Sequence, residues 1–131
     1  MAAQPLLMNV MTPAGPVTSF TSNRARPSTP AVGCNFVDNG KDVGGIAIFS
    51  DPANLYGENS PWYLINDNTG NDGEGFRFAC AAILAPKVLT LAADEKLELH
   101  YQIAVSPKAW TADSLKAAHD AWLKQRKAPA N

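Results

Sequence analysis

The stretch KLELHYQIAV, Lys96 to Val105, constrains the fold more than any other. In it Leu97, Leu99, Tyr101, Ile103 and Val105 alternate with Lys96, Glu98, His100 and Gln102. Successive side chains of a strand point to opposite faces, so this period of two predicts one row in a core and the other in water. A chain of 131 residues makes one domain at most, and 46% hydrophobic with 18% charged residues is ordinary globular composition. Ten prolines and nine glycines fit many short elements joined by turns better than a helical bundle.

Similar patterns recur upstream. AVGCNFV sets Val32, Cys34 and Phe36 against small or polar neighbours, and GGIAIFS sets Ile46, Ile48 and Ser50 against Ala47 and Phe49. Between them, Asp38 to Lys41 (DNGK) reads as a hairpin, because Asn-Gly supplies the positive φ of a type I′ turn. Both faces of GGIAIFS are apolar, which predicts a central strand. PWYLI, FRFACAAIL (closed by Pro86) and KVLTL read as further strands.

The period then changes. In WTADSLKAAHDAWLKQRK, Leu115, Ala118, His119, Trp122 and Leu123 form one helical stripe. Thr111 suits the N-cap, Asp113 the first turn, and Lys124, Arg126 and Lys127 the last, where the helix dipole favours each sign. The expected fold is mostly β: an antiparallel β-sandwich, jelly-roll-like, with one C-terminal α-helix. Residues 1–30, rich in Pro, Ser and Thr, read as an N-terminal arm with VTSF as its best strand. Residues 31–106 read as the sandwich core, 107–127 as the helix packed on the sheet, and 128–131 as a tail.

Charge and composition exclude several classes. The net charge is −1 with no basic block, so the electrostatic footprint of a nucleic-acid binder is missing. No stretch approaches the ~18 apolar residues that span a bilayer, so no membrane partner is expected. The N-terminus has no basic region and is interrupted by Pro5, a poor signal peptide. Location stays open between the cytoplasm and, if a leader was removed, the periplasm or exterior. Cys34 and Cys80 are far apart and form no CxxC motif. Two buried thiols are expected, ahead of a disulfide; a reactive thiol ranks last because no basic neighbour would lower its pKa.

Candidate chemistry is sparse. His100 and His119 form no HxH or HxxxH pair, so neither a metal nor any other cofactor is expected. In the loop Asn66–Gly75, Asp67, Thr69 and Asn71 approach a calcium-loop spacing, but Gly73 falls one residue late. Turn chemistry accounts for the same Asn, Asp and Gly residues. Nucleophile and nucleotide motifs are absent. Two surfaces remain. Asn54, Tyr56, Trp62 and Tyr63 cluster beside Glu58 and Asn59, a set that suits a sugar ring or a loop pinned to a sandwich edge. Glu98, His100 and Gln102 form a polar strip that suits a ligand or plain solvent. Were the chain catalytic, His100 would be the base and Asp51 or Glu58 the acid. His119 reads as a packed or boundary histidine, and Arg24 with Arg26 as a solvated loop.

The run from Gly45 carries a family resemblance. Gly45, Ile46, Ala47, Ile48, Phe49, Pro52, Asn54, Pro61, Trp62 and Tyr63 resemble the run GIAIFDHPxNxRHPTPWYV of the PmoA-like family of β-sandwich proteins. LTLAADEKLELHYQIAV is similar to its LTLAAGETLxLRYRxxV, and TSNR near Thr21–Arg24 to a segment upstream. The likeness spans roughly residues 20–125 and matches the C-terminal half of proteins about twice as long. The family's turn histidines are missing here: Asp51 stands at the first, and Tyr56–Asn59 holds none. The resemblance implies a β-sandwich in a saccharide-related setting, and no known reaction.

Three functions follow as expectations. The first is a carbohydrate-associated binding module contacting ligand through Asn54–Tyr63 and the Glu98–His100–Gln102 strip. The second is a small sugar-acting hydrolase or lyase. The third is a non-catalytic interaction domain, in which a homodimer covers the edge left by a half-sized sandwich.

Overall fold

The computed structural model describes residues 6–67 and 76–127. Eight strands and one helix follow in order: β1 Leu7–Thr12, β2 Gly15–Pro16, β3 Arg24–Ala25, β4 Ala31–Asp38, β5 Lys41–Ser50, β6 Trp62–Asn66, β7 Arg77–Ala81, β8 Tyr101–Ser106 and α1 Ala112–Lys127. Five strands form one sheet in the order β2-β1-β4-β5-β8, and three form a second in the order β3-β6-β7. All named pairings are antiparallel. The fold is therefore mostly antiparallel β with one C-terminal helix, an open two-sheet arrangement rather than a closed barrel.

Sequence dictates the centre of the large sheet. Asn39 and Gly40 both take positive φ at the β4–β5 hairpin, as their residue types allow. The pairing then sets Cys34 opposite Ile46 and Val32 opposite Ile48 on one face, with Gly33 opposite Ala47 and Ala31 opposite Phe49 on the other. The first face meets the small sheet: Met8, Val10, Val32 and Cys34 pack with Ala25, Trp62 and Leu64. The second meets the helix: Ala31, Ala47 and Phe49 pack with Trp110, Leu115 and Trp122. Three layers result, and β4 and β5 form the middle of the central one.

Helix α1 is tied down at its start. Thr111 Oγ1 accepts the Ser114 backbone N–H, while the Thr111 N–H donates to Ser114 Oγ, a reciprocal cap. Buried Asn35 clamps the preceding residue, donating to the Trp110 carbonyl at 2.8 Å and accepting its N–H at 2.7 Å. Close approach explains a glycine below: a Cβ on Gly45 would overlap Asn35 Oδ1 and stand 2.8 Å from Trp110 Cδ1.

Three expectations are corrected. Residues 1–30 do not all lie outside the core. Met8 and Val10 of β1 are buried, and β1 sits between β2 and β4, because LMNVMT itself alternates. VTSF forms no strand; Val17 only donates its N–H to the Val10 carbonyl. KVLTL and the first half of KLELHYQIAV also form no strand: among the described residues they join no ladder, and the hydrogen bonds at the ends of the segment, Ala82 N–H to the Pro61 carbonyl and Asp51 N–H to the His100 carbonyl, do not continue into it. The loop at residues 68–75, including the calcium-like spacing, lies outside the described residues.

Candidate functional site

The polar turn after β5 is held by its own side chains. Buried Asn54 donates Nδ2–H to the His100 carbonyl at 2.8 Å and to Ser50 Oγ at 3.0 Å. Its Oδ1 accepts the His100 N–H at 2.8 Å. One amide side chain thus replaces a strand partner for His100, just where β8 begins. Asp51, also buried, accepts the Ala53 N–H through Oδ1 and pairs through Oδ2 with Arg126 Nε at 2.9 Å. Tyr56 takes a left-handed conformation, φ 74°, to start the single 3-10 turn Gly57–Asn59.

The structure separates most of the sequence-predicted site. Trp62 is a core residue, 1% exposed, whose indole N–H donates to the Thr29 carbonyl at 2.7 Å. Its ring meets Tyr101 edge-on with centroids 6.4 Å apart, within the range of favourable aromatic pairs. Tyr63 points to the other face of the small sheet, where Arg24 Nε donates to its hydroxyl at 2.7 Å and the Arg26 guanidinium lies 4.8 Å above its ring. Both arginines, read from sequence as a solvated loop, therefore hold Tyr63. His100 turns to Glu98, with Nε2 2.8 Å from Oε1, on an exposed surface. Gln102 lies opposite Phe49, on the helix side of the large sheet. Asp51, Glu58 and His100 each face different neighbours, and no group of His, Cys, Asp and Glu that could hold a metal occurs among the described residues.

A different surface emerges from the turn. Glu58 lies exposed on the 3-10 turn and lines two adjoining hollows of about 310 and 180 Å³ with Pro13, Pro30 and Lys116. The larger shares Ala14, Ser28 and Thr29 with a third hollow of about 420 Å³, which Arg26, Thr18 and Ser19 also line. Together they make one furrow past the β1–β2 hairpin and onto helix α1. Its walls are prolines and hydroxyls. Among the described residues neither Glu58 nor Lys116 has an ion-pair partner.

His119 closes the helix end of the furrow. It is stacked between Phe49 at 5.4 Å and Trp122 at 6.0 Å. Nε2 lies 2.8 Å from the Ser50 carbonyl, which only accepts, so the proton sits on Nε2. This is the packed histidine the helical stripe anticipates. Sequence reasoning missed Lys116 as a lining residue. It lies one turn before His119–Asp120, which also line the 180 Å³ hollow, and nothing in its own pattern marks it.

Comparison with protein-family models, with curated proteins and with solved structures found no match.

Proposed function

We propose that the chain is a non-catalytic binding module for a neutral or weakly charged saccharide-type polyol, seated in the furrow between the β1–β2 hairpin, the 3-10 turn and helix α1. One observation carries the reading: a continuous furrow lined by Pro13, Pro30 and the exposed Ser28, and running past the unpaired Glu58 and Lys116. Prolines offer apolar surface to the C–H face of a sugar. Hydroxyls and a carboxylate offer the few placed polar groups that fix orientation. The PmoA-like resemblance supports the same saccharide setting.

Binding is favoured over turnover by the state of the candidate acids and base. Asp51 is already bonded to Arg126 and to the Ala53 N–H, and His100 to Glu98. A general acid and base must reach one reacting bond together; Asp51 and His100 serve separate structural contacts, which leaves exposed Glu58 without the base assigned to it.

The test is calorimetric titration with a panel of neutral and acidic oligosaccharides. Binding without turnover is expected. Glu58→Gln and Lys116→Ala should each weaken it about tenfold, the worth of one charge-assisted hydrogen bond. His100→Ala should leave it unchanged. Absence of binding across the panel, or affinity indifferent to both furrow variants, refutes the reading.

A further inference from the structure

The inner face of the large sheet is covered at one end only. Beneath the small sheet, Met8, Val10 and Val32 are buried. Farther across the same face, the pairing sets Ile46 opposite Val105 and Ile48 opposite Ile103. There Ile46 is 41% exposed, Ile103 69% and Val105 77%. The small sheet reaches only the start of β8, where Trp62 meets Tyr101, and leaves Ile103 and Val105 open. A hollow of about 270 Å³, lined by Cys34, Phe36, Ile46, Ile48 and Ala79, marks where the cover stops. The link from β7 to β8 exposes apolar groups of its own, among them Val88 and Leu97.

β8 is also an unprotected edge. It pairs with β5 and with no other described strand. Natural edges are blunted by charge, proline or a bulge. Tyr101–Ser106 (YQIAVS) contains no charge and no proline, and its pairing with β5 runs without a shift in register; Pro107 and Lys108 come only after the strand has ended. Such an edge offers free backbone groups beside an apolar row.

Its chemistry suits itself. Antiparallel pairing of one strand with its own copy is a closed two-fold contact, in which each surface meets its equal. Tyr101, Ile103 and Val105 of two copies would fall on one face, with no like charges opposed. The exposed apolar surface of this strip is on the order of a few hundred Å², comparable to the largest apolar patch of a typical monomer, which is often functional. Doubled by symmetry and joined to the buried edge, it approaches the ~1,200 Å² of the smaller specific interfaces. A strongly charged partner gains nothing from it.

We propose that a second copy of this chain docks along β8, edge to edge and antiparallel, so that the two five-stranded sheets continue as one and Ile103 and Val105 shield their counterparts. The furrow lies at the β1–β2 edge, the far side of the same sheet, so the two proposals stand or fall separately.

Sedimentation equilibrium between about 1 and about 200 µM, with hydrogen exchange at both ends of that range, tests it. The expected result is a concentration-dependent rise from the 14.0 kDa chain mass to about twice that value, with Tyr101–Ser106 amides gaining protection in step. Ile103→Lys and Val105→Lys should each raise the dissociation constant at least ~10-fold while circular dichroism keeps the wild-type spectrum. A wild-type chain that stays at monomer mass throughout overturns the proposal. Dimerisation unaffected by both lysines, or without protection at β8, overturns it equally. The wild-type measurements decide the matter even if a variant fails to fold.

Discussion

Strands β5 and β8 are neighbours in one sheet and carry the same alternation of apolar residues, yet their surroundings are opposite. On β5, Phe49 is buried under Trp110 and His119 on the helix side, and Ile48 packs against the core beneath the small sheet. On β8, Ile103 and Val105 project from the same inner face as Ile48 into open space. Alternation says which side chains share a face. Whether that face is covered depends on the width of the layer opposite, here three strands against five.

The largest effect expected from this contrast is at Trp62. Its indole is fully buried between the sheets and hydrogen-bonded to the Thr29 carbonyl. Trp62→Ala should cost about 3–5 kcal/mol in urea unfolding, from lost burial and the cavity left behind. Ile103→Ala, read at concentrations where the chain is monomeric, should cost under about 0.5 kcal/mol. Equal losses at the two positions would mean that the inner face is covered along its whole width, and the contrast would fail.

A second effect separates the two cysteines. Both are free, Cys34 buried on the inner face of β4 and Cys80 half-buried on β7. Burial pushes the Cys34 thiol from 9.0 up to about 11, because the low-dielectric core disfavours the thiolate. The folded pKa lies above the unfolded one, so this stabilisation is complete below pH 9 and is lost as pH rises towards 11. That loss is on the order of 2–3 kcal/mol, and Cys34→Ser should flatten the alkaline limb of a stability–pH profile. Alkylation at pH 8 should label Cys80 well before Cys34. Equal labelling would place Cys34 outside the sealed half.

Much of the sealed half was legible from residue order. The Asn39-Gly40 turn, the two-faced β5 and the Thr111-capped helix all follow from local chemistry that no distant contact overrides. β1 was harder, because prolines on either side of LMNVMT disguise a strand whose alternation spans only six residues. The candidate site was the least legible. Asn54 and Trp62 have the residue types of a sugar site, but their partners, His100 and the Thr29 carbonyl, lie 46 and 33 residues away in sequence and turn both into fasteners. Lys116 reaches the furrow only because the helix docks where Asn35 clamps Trp110, a contact across 75 residues.

The smallest effect is expected in the link between β7 and β8, where KVLTL looks like a strand and finds no partner. Val88 is 88% exposed there, more than any other large apolar side chain described. With almost no apolar surface to lose on unfolding, Val88→Thr in the monomer should change stability by less than about 0.5 kcal/mol, a shift in urea midpoint near the limit of measurement. A β-branched replacement keeps the backbone preference of the segment, so any larger loss would report packing rather than propensity. A cost above about 1 kcal/mol would therefore mean that the link folds over the open face in solution. It would then cover Ile103 and Val105 from within the chain, and β8 would no longer differ from β5.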